Sequence, residues 1–163
     1  MITEDYVSFE TAKLLKEKGF DARCFHIYRD DGVQFYCATH RAQPITNEEI
    51  EDDNQKHPEY KMFECTCPTL QMATKWVQET FNIVIIPNYE YECNDTPWCY
   101  KIFKLGENGK PERVAVKGVS YDKDDNPTEY IVGYRDYERS YKDYATKEEA
   151  IEEGIKHCLE NLV

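Results

Sequence analysis

The chain has 163 residues, which is enough for one domain with a hydrophobic core that needs no disulfide bridges. Its 32 acidic and 20 basic residues give a formal net charge of −12, which disfavours direct binding to nucleic acid or anionic lipid. An acidic N-terminus and a longest aliphatic run at residues 83–86 argue against a secretory signal and a membrane span, so we expect a cytoplasmic protein.

The first third of the sequence predicts a helix followed by a hairpin. Residues 7–20 form an amphipathic pattern in which Ser8 is placed to cap the helix and Gly19 to end it. Residues 22–40 contain two runs rich in aromatic and β-branched residues around Asp30, Asp31 and Gly32. That arrangement is typical of two antiparallel strands joined by a tight turn.

An acidic stretch at residues 41–64 interrupts this pattern. Between Thr46 and Glu64 the sequence has seven acids and two bases, and Thr46 with Glu49 forms a capping box. We expect a solvent-facing insertion that carries a short helix, with a dedicated docking segment as the alternative.

The remaining chain predicts two helices and four strands. A helix covers residues 68–81 with Pro68 in its first turn, and a strand follows in which Pro87 indicates an edge or a bulge. Three more strand-like runs are WCYKIFKL, ERVAVKGV and TEYIVGY. Thr146 and Glu149 form a second capping box, which opens the C-terminal helix.

These elements define the fold class. Their order is α-ββ-α-ββββ-α, with hairpins grouped and helices separated. This order predicts a single α+β domain over residues 1–163, with an antiparallel sheet of five to six strands and about three helices mainly on one face.

The segment FECTCPTLQ raises the question of thiol chemistry. Cys65 and Cys67 precede a predicted helix, and a helix N-terminus lowers the pKa of a thiol and favours the reactive thiolate. However, the familiar redox pair has two intervening residues, whereas this pair has one. The alternative is that both side chains are small apolar residues between helix and sheet.

Zinc binding is a further alternative for the same pair. A tetrahedral site would need two more ligands, and Cys93, Cys99 and His57 could supply them if the fold brings them together.

The sequence has no phosphate-binding loop and no hydrolase motif. We therefore assign no catalytic residue and expect no cofactor.

The tyrosines and the acidic stretch indicate a binding surface. Nine of the thirteen tyrosines lie between Tyr89 and Tyr144, and tyrosine is a frequent interface anchor. The candidate binding residues are Tyr137, Tyr141, Tyr144, Glu48, Glu49, Glu51, Asp52 and Asp53. Half-buried tyrosines on a sheet face are an equally good explanation of the first three.

Three segments carry a resemblance to known sequences: YVSFETAKLLKEKGF, CPTLQMATKWVQETFNI and YATKEEAIEEGIKHCLENL. Together they resemble short proteins encoded by gut bacteria of the Bacteroides type and by their phages and prophages, a family without an established activity. The resemblance implies a phage-linked accessory protein that acts by binding, and it transfers no functional residue.

Taken together, the sequence predicts a non-catalytic cytoplasmic protein that binds another macromolecule, and the expected partner is a protein. A thiol or zinc protein built on Cys65 and Cys67 is the second hypothesis. An acidic mimic of DNA that blocks a basic protein is the third, and it predicts steep salt dependence of the complex. The oligomeric state is left open.

Overall fold

The fold is known from a computed structural model, which describes residues 4–37, 43–60, 63–91, 95–121, 127–140 and 142–163. The helices are α1 (Phe9–Glu17), α2 (Asn47–Lys56), α3 (Leu70–Phe81) and α4 (Lys147–Asn161). The strands are β1 (His26–Arg29), β2 (Gln34–Tyr36), β3 (Phe63–Thr66), β4 (Ile83–Tyr89), β5 (Trp98–Lys104), β6 (Val114–Tyr121), β7 (Pro127–Arg135) and β8 (Glu138–Arg139). A short 3-10 turn, Pro58–Tyr60, follows α2.

The α+β class is confirmed, but the strands do not form one sheet. The described strands make an antiparallel sheet in the order β2-β1-β3, a second in the order β4-β5-β8, and a two-stranded ribbon of β6 and β7. The prediction of one sheet of five to six strands was therefore wrong. Local patterns identified most strands, but partner choice depends on contacts far apart in sequence.

The helix count also differs from the prediction. The acidic stretch contains α2, which starts at the predicted capping box of Thr46 and Glu49, and β3 follows it. The described part of the chain thus has four helices rather than three. Pro68 lies outside α3, because Thr69 is the N-cap residue. Ser8 and Thr146 cap α1 and α4 as predicted, and Gly19 adopts a φ of 91° just after α1.

One hydrophobic core connects the layers. It is formed by buried side chains from the N-terminal segment, three helices and both three-stranded sheets. The most enclosed members include Leu15, Val77, Ile83, Ile155 and Leu159. None of the helices in the described part of the chain has the length and apolar character that crossing a bilayer requires.

A buried amide fixes α2 against the rest of the molecule. The Asn47 side chain donates a hydrogen bond of 2.6 Å to the carbonyl of Phe20 and accepts one of 2.8 Å from the amide of Thr66. Both groups are buried backbone atoms that need a partner. The N-terminus of the acidic helix is therefore held at a defined position beside β3.

Candidate functional site

Cys65 and Cys67 lie in the core. Cys65 is in β3 opposite Tyr28, and Cys67 follows directly after the strand; both are buried. Burial raises the pKa of Cys65 to about 12 and that of Cys67 to about 11. This environment opposes the thiolate that nucleophilic or redox chemistry requires.

The zinc candidates are not assembled in the described part of the chain. Cys99 is in β5 of the other sheet, and Cys93 lies outside the described residues. Among the described residues, three possible metal-ligand atoms do lie close together. They belong to Glu90, Cys99 and Asp143 and lie within 4.8 Å of one another. The guanidinium of Arg139 already contacts both carboxylates, Glu90 at 2.6 Å and Asp143 at 3.0 Å. The two carboxylates therefore already share Arg139 as their cationic partner.

The candidate tyrosines do not form one surface. Tyr144 is buried and stacks on Tyr100, with 6.1 Å between ring centroids. Tyr137 is half-buried and packs against Phe103 at 5.5 Å. Tyr100 and Phe103 are three residues apart in β5, so their side chains point to opposite faces of the sheet. Tyr141 lies outside the described residues.

The five acidic candidates do share one element, since all lie in α2 and are exposed. Three of them are paired: Glu49 with Arg23 at 2.7 Å, Glu51 with Lys16 at 3.3 Å, and Asp52 with Lys56. Glu48 and Asp53 form no ion pair with any basic group of the described chain. The helix therefore carries negative charge that the basic groups of the described residues do not neutralise.

Next to α2, the β1–β2 hairpin exposes large apolar side chains. We define the hairpin patch as the four residues Phe25 (47% exposed), Val33 (45%), Phe35 (39%) and Tyr36 (54%). Phe25 and Tyr36 stack at 6.1 Å, and the Arg29 guanidinium lies over the Phe35 ring at 5.3 Å. Phe35 and Tyr36 are neighbours in β2 and point to opposite faces, so the patch wraps around the edge strand and does not lie on one face. A group of exposed apolar side chains at one strand is typical of an interaction surface.

A cleft separates the hairpin from α2. We name it the hairpin cleft; it measures about 190 Å³ and is lined by Ile27, Phe35, Tyr36, Cys37, Ile45, Ile50, Asp53 and Phe63. Its described walls are mostly apolar, and Asp53 is the one acidic residue among the described residues that line it. Cys37 is half-buried there, and burial raises the pKa of its thiol.

The size of the hairpin cleft decides what can enter it. Pockets for drug-sized ligands and cofactors usually measure about 300–1,000 Å³, so this cleft is too small for most of them. Its apolar walls suit a single aliphatic side chain, as in the anchor pockets of protein interfaces. The adjacent Asp53 carboxylate suits a cation beside that side chain.

Sequence reasoning proposed the acidic helix beside this cleft as a binding element but did not propose the apolar side. The hairpin itself was predicted, and its composition was assigned to strand formation. The signal in the sequence for this exposed apolar side is that β2 has apolar residues on both faces. The structure places β2 at a sheet edge. A solvated edge strand normally alternates apolar and polar residues.

Comparison with known proteins adds no relative. No family model, curated protein or solved structure matches the chain.

Proposed function

We propose that the protein is a non-catalytic binding module that captures a basic segment of a partner protein at the hairpin cleft. The observation that carries this proposal is the hairpin patch beside the acidic helix α2. An aliphatic side chain of the partner enters the cleft, and a neighbouring lysine or arginine meets Asp53. In agreement with the family resemblance, we propose a phage-linked accessory role in the cytoplasm.

Apolar contact supplies most of the binding energy in this proposal. Burying one aliphatic side chain contributes about 1.5–3 kcal/mol, before the entropy of ordering the partner is subtracted. Covering Phe25 and Tyr36, which are about half exposed, adds aromatic contact area.

Charge supplies orientation and partner choice. The net charge of −12 attracts basic segments at long range and repels acidic ones. The Asp53 carboxylate at the cleft, which pairs with no basic group of the described residues, then distinguishes a cation from a neutral group at short range. Because the cleft is apolar, we expect weaker salt dependence than a DNA mimic would have.

The test uses a defined probe, a capped pentapeptide with a central leucine between lysines. We expect saturable binding by calorimetry and slower alkylation of Cys37 by iodoacetamide in a Cys93→Ser background. Replacing the leucine by glycine should abolish both effects. Binding that survives this replacement and disappears in high salt would instead support the DNA-mimic hypothesis.

Matched pairs of variants test whether the peptide probe binds at the hairpin cleft. Asp53→Asn should weaken binding roughly two- to fivefold, whereas Asp52→Asn, on the same helix and paired with Lys56, should change it little. Phe35→Ser should abolish binding, with Tyr91→Ser as the exposed aromatic control. Equal effects within each pair, or Cys37 alkylation that is indifferent to the probe, would refute the assignment of the site.

A further inference from the structure

The hairpin patch includes a strand with a free edge. In the order β2-β1-β3, β2 is an outer strand, and no strand of the described chain pairs with its free side. All three of its residues, Gln34, Phe35 and Tyr36, are exposed. An edge of this kind presents main-chain donors and acceptors that can bond to an added strand.

The hydrogen bonds of the hairpin show which groups of β2 face outward. The amide of Cys37 donates at 2.7 Å to the residue before β1, and the carbonyl of Val33 accepts at 3.0 Å from the last residue of β1. Bonded and non-bonded positions alternate along an antiparallel ladder, so Phe35, midway between these two, also bonds to β1. The amides and carbonyls of Gln34 and Tyr36 therefore point away from β1.

The side chains of β2 alternate between the two faces of the sheet. Phe35 lines the hairpin cleft. The Gln34 side chain instead donates to Sγ of Cys67 at 3.3 Å, and the Tyr36 ring lies 5.0 Å from the ring of His26. An added strand follows the same alternation. Its residue opposite Phe35 would thus direct a side chain to the cleft, and the two neighbours of that residue would face the other way.

The charges beside this edge indicate the chemistry of the added strand. Asp53 lines the cleft and pairs with no basic group of the described residues. The helix that carries it, α2, has five acids and one lysine. A second copy of this chain would bring like charges together, because each copy has a net charge of −12. A basic segment of another protein is attracted instead.

We propose that the basic segment of the partner binds as an antiparallel strand beside β2, a binding mode that rests on the proposed function and specifies it. Main-chain bonds to Gln34 and Tyr36 hold the segment. An aliphatic residue opposite Phe35 fills the cleft, and a lysine or arginine two residues away lies on the same face as Asp53. In strand addition, main-chain bonds contribute affinity and pockets for alternate side chains contribute specificity.

The probe is a capped pentapeptide with leucine at its centre, lysine at both ends and threonine between them. Its two threonines lie opposite Gln34 and Tyr36, so their amides donate to β2, whereas the leucine amide points away. N-methylation of both threonines should weaken binding roughly tenfold or more by calorimetry. N-methylation of the leucine is the matched control and should change the affinity by less than about twofold.

Amide hydrogen exchange locates the added strand on the protein. Exchange of the Gln34 and Tyr36 amides, followed by NMR, should slow roughly tenfold when about nine-tenths of the protein is bound. The Phe35 amide already bonds to β1, so its exchange should change much less. Unchanged exchange at Gln34 and Tyr36 in the presence of bound peptide would overturn the proposal.

An isomer of the probe tests the alternation of side chains. It has threonine at both ends and the lysines next to the leucine, so that both lysines would face away from Asp53 in a strand. Asp53→Asn should weaken the first peptide roughly two- to fivefold and leave the isomer unaffected. Equal weakening of both peptides would contradict an extended segment.

Strand addition and capture at the cleft can fail separately. A peptide that slows alkylation of Cys37 but tolerates N-methylation of both threonines would bind at the hairpin cleft without adding a strand. The proposed function would then stand and the strand proposal would be wrong. A peptide that does not bind would refute both.

Discussion

The carboxylate of Glu152 in α4 accepts a hydrogen bond of 2.6 Å from the backbone amide of Ser8, the residue that caps α1. The same carboxylate oxygen accepts a bond of 2.8 Å from the hydroxyl of Thr11. An anion at a helix N-terminus satisfies free amides and interacts favourably with the helix dipole. One side chain of the last helix thus fixes the start of the first.

Removing this carboxylate should destabilise the fold. Glu152→Ala should lower the free energy of unfolding by about 1–2 kcal/mol, because Ser8 loses its acceptor and α1 loses its anion. Urea unfolding followed by circular dichroism measures this change. Glu160→Ala, at an exposed position of α4, is the control and should stay within about 0.5 kcal/mol of wild type. Equal losses in the two variants would show that the contact contributes little.

At Gly154, α4 packs tightly against the β4-β5-β8 sheet. A Cβ atom at this position would lie 2.7 Å from Cγ2 of Ile85 and 3.2 Å from Cγ of Tyr100. Gly154→Ala should therefore lower the free energy of unfolding by about 1–2 kcal/mol, although alanine is the better helix former by about 1 kcal/mol. Glu153→Ala, one residue earlier, is the matched control. A stabilised Gly154→Ala variant would show that the helix can shift away from the sheet.

Local signals in the sequence predicted the helix ends well. The boxes at Thr46 and Thr146, the cap at Ser8 and the end at Gly19 depend on neighbouring residues, and all four are present. Strand partners were not predictable in the same way. β3 pairs with β1 at Tyr28 and Cys65, which are 37 positions apart, and no local pattern specifies such a register.

The candidate site was half predictable for the same reason. The acidic side depends on one helix, whose cap and charges are visible in sequence. The cleft depends on how far α2 lies from the hairpin, and that distance is set by Asn47 through its bonds to Phe20 and Thr66. The placement of Tyr137 and Tyr144 could not be predicted from the sequence. The sheet face on which each side chain lies depends on the register of β5 and β8.

The thiols should differ sharply in reactivity. In a Cys93→Ser background, Cys37 should be alkylated first, because it is half-buried whereas the other described cysteines are buried. Cys65 and Cys67 should react only on unfolding, since burial raises the pKa of both thiols. Timed alkylation with peptide mass spectrometry measures the rates. Rapid labelling of Cys65 or Cys67 in the native protein would restore the thiol hypothesis.

The ion pair between Arg139 and Glu90 should make stability depend on acid pH. Hydrogen bonds from Arg139, which lie at 3.0 and 2.6 Å, hold the pKa of the Glu90 carboxyl below its usual value. Because the folded-state pKa lies below the unfolded one, the contribution is complete above the unfolded value of about 4.3 and is lost as pH falls through the folded value. The stabilisation should therefore be present at neutral pH and decline below about pH 5.

Glu90→Gln isolates this contribution. At pH 7 the variant should be less stable than wild type by about 1 kcal/mol, because Glu90 is partly exposed and solvent screens the pair. As pH falls toward 3, the difference should shrink, since protonated Glu90 also lacks the charge. Urea midpoints at several pH values measure it, with Glu107→Gln in the exposed turn after β5 as the control. A difference that stays constant with pH would mean that Arg139 holds Glu90 through shape and neutral hydrogen bonds rather than through charge.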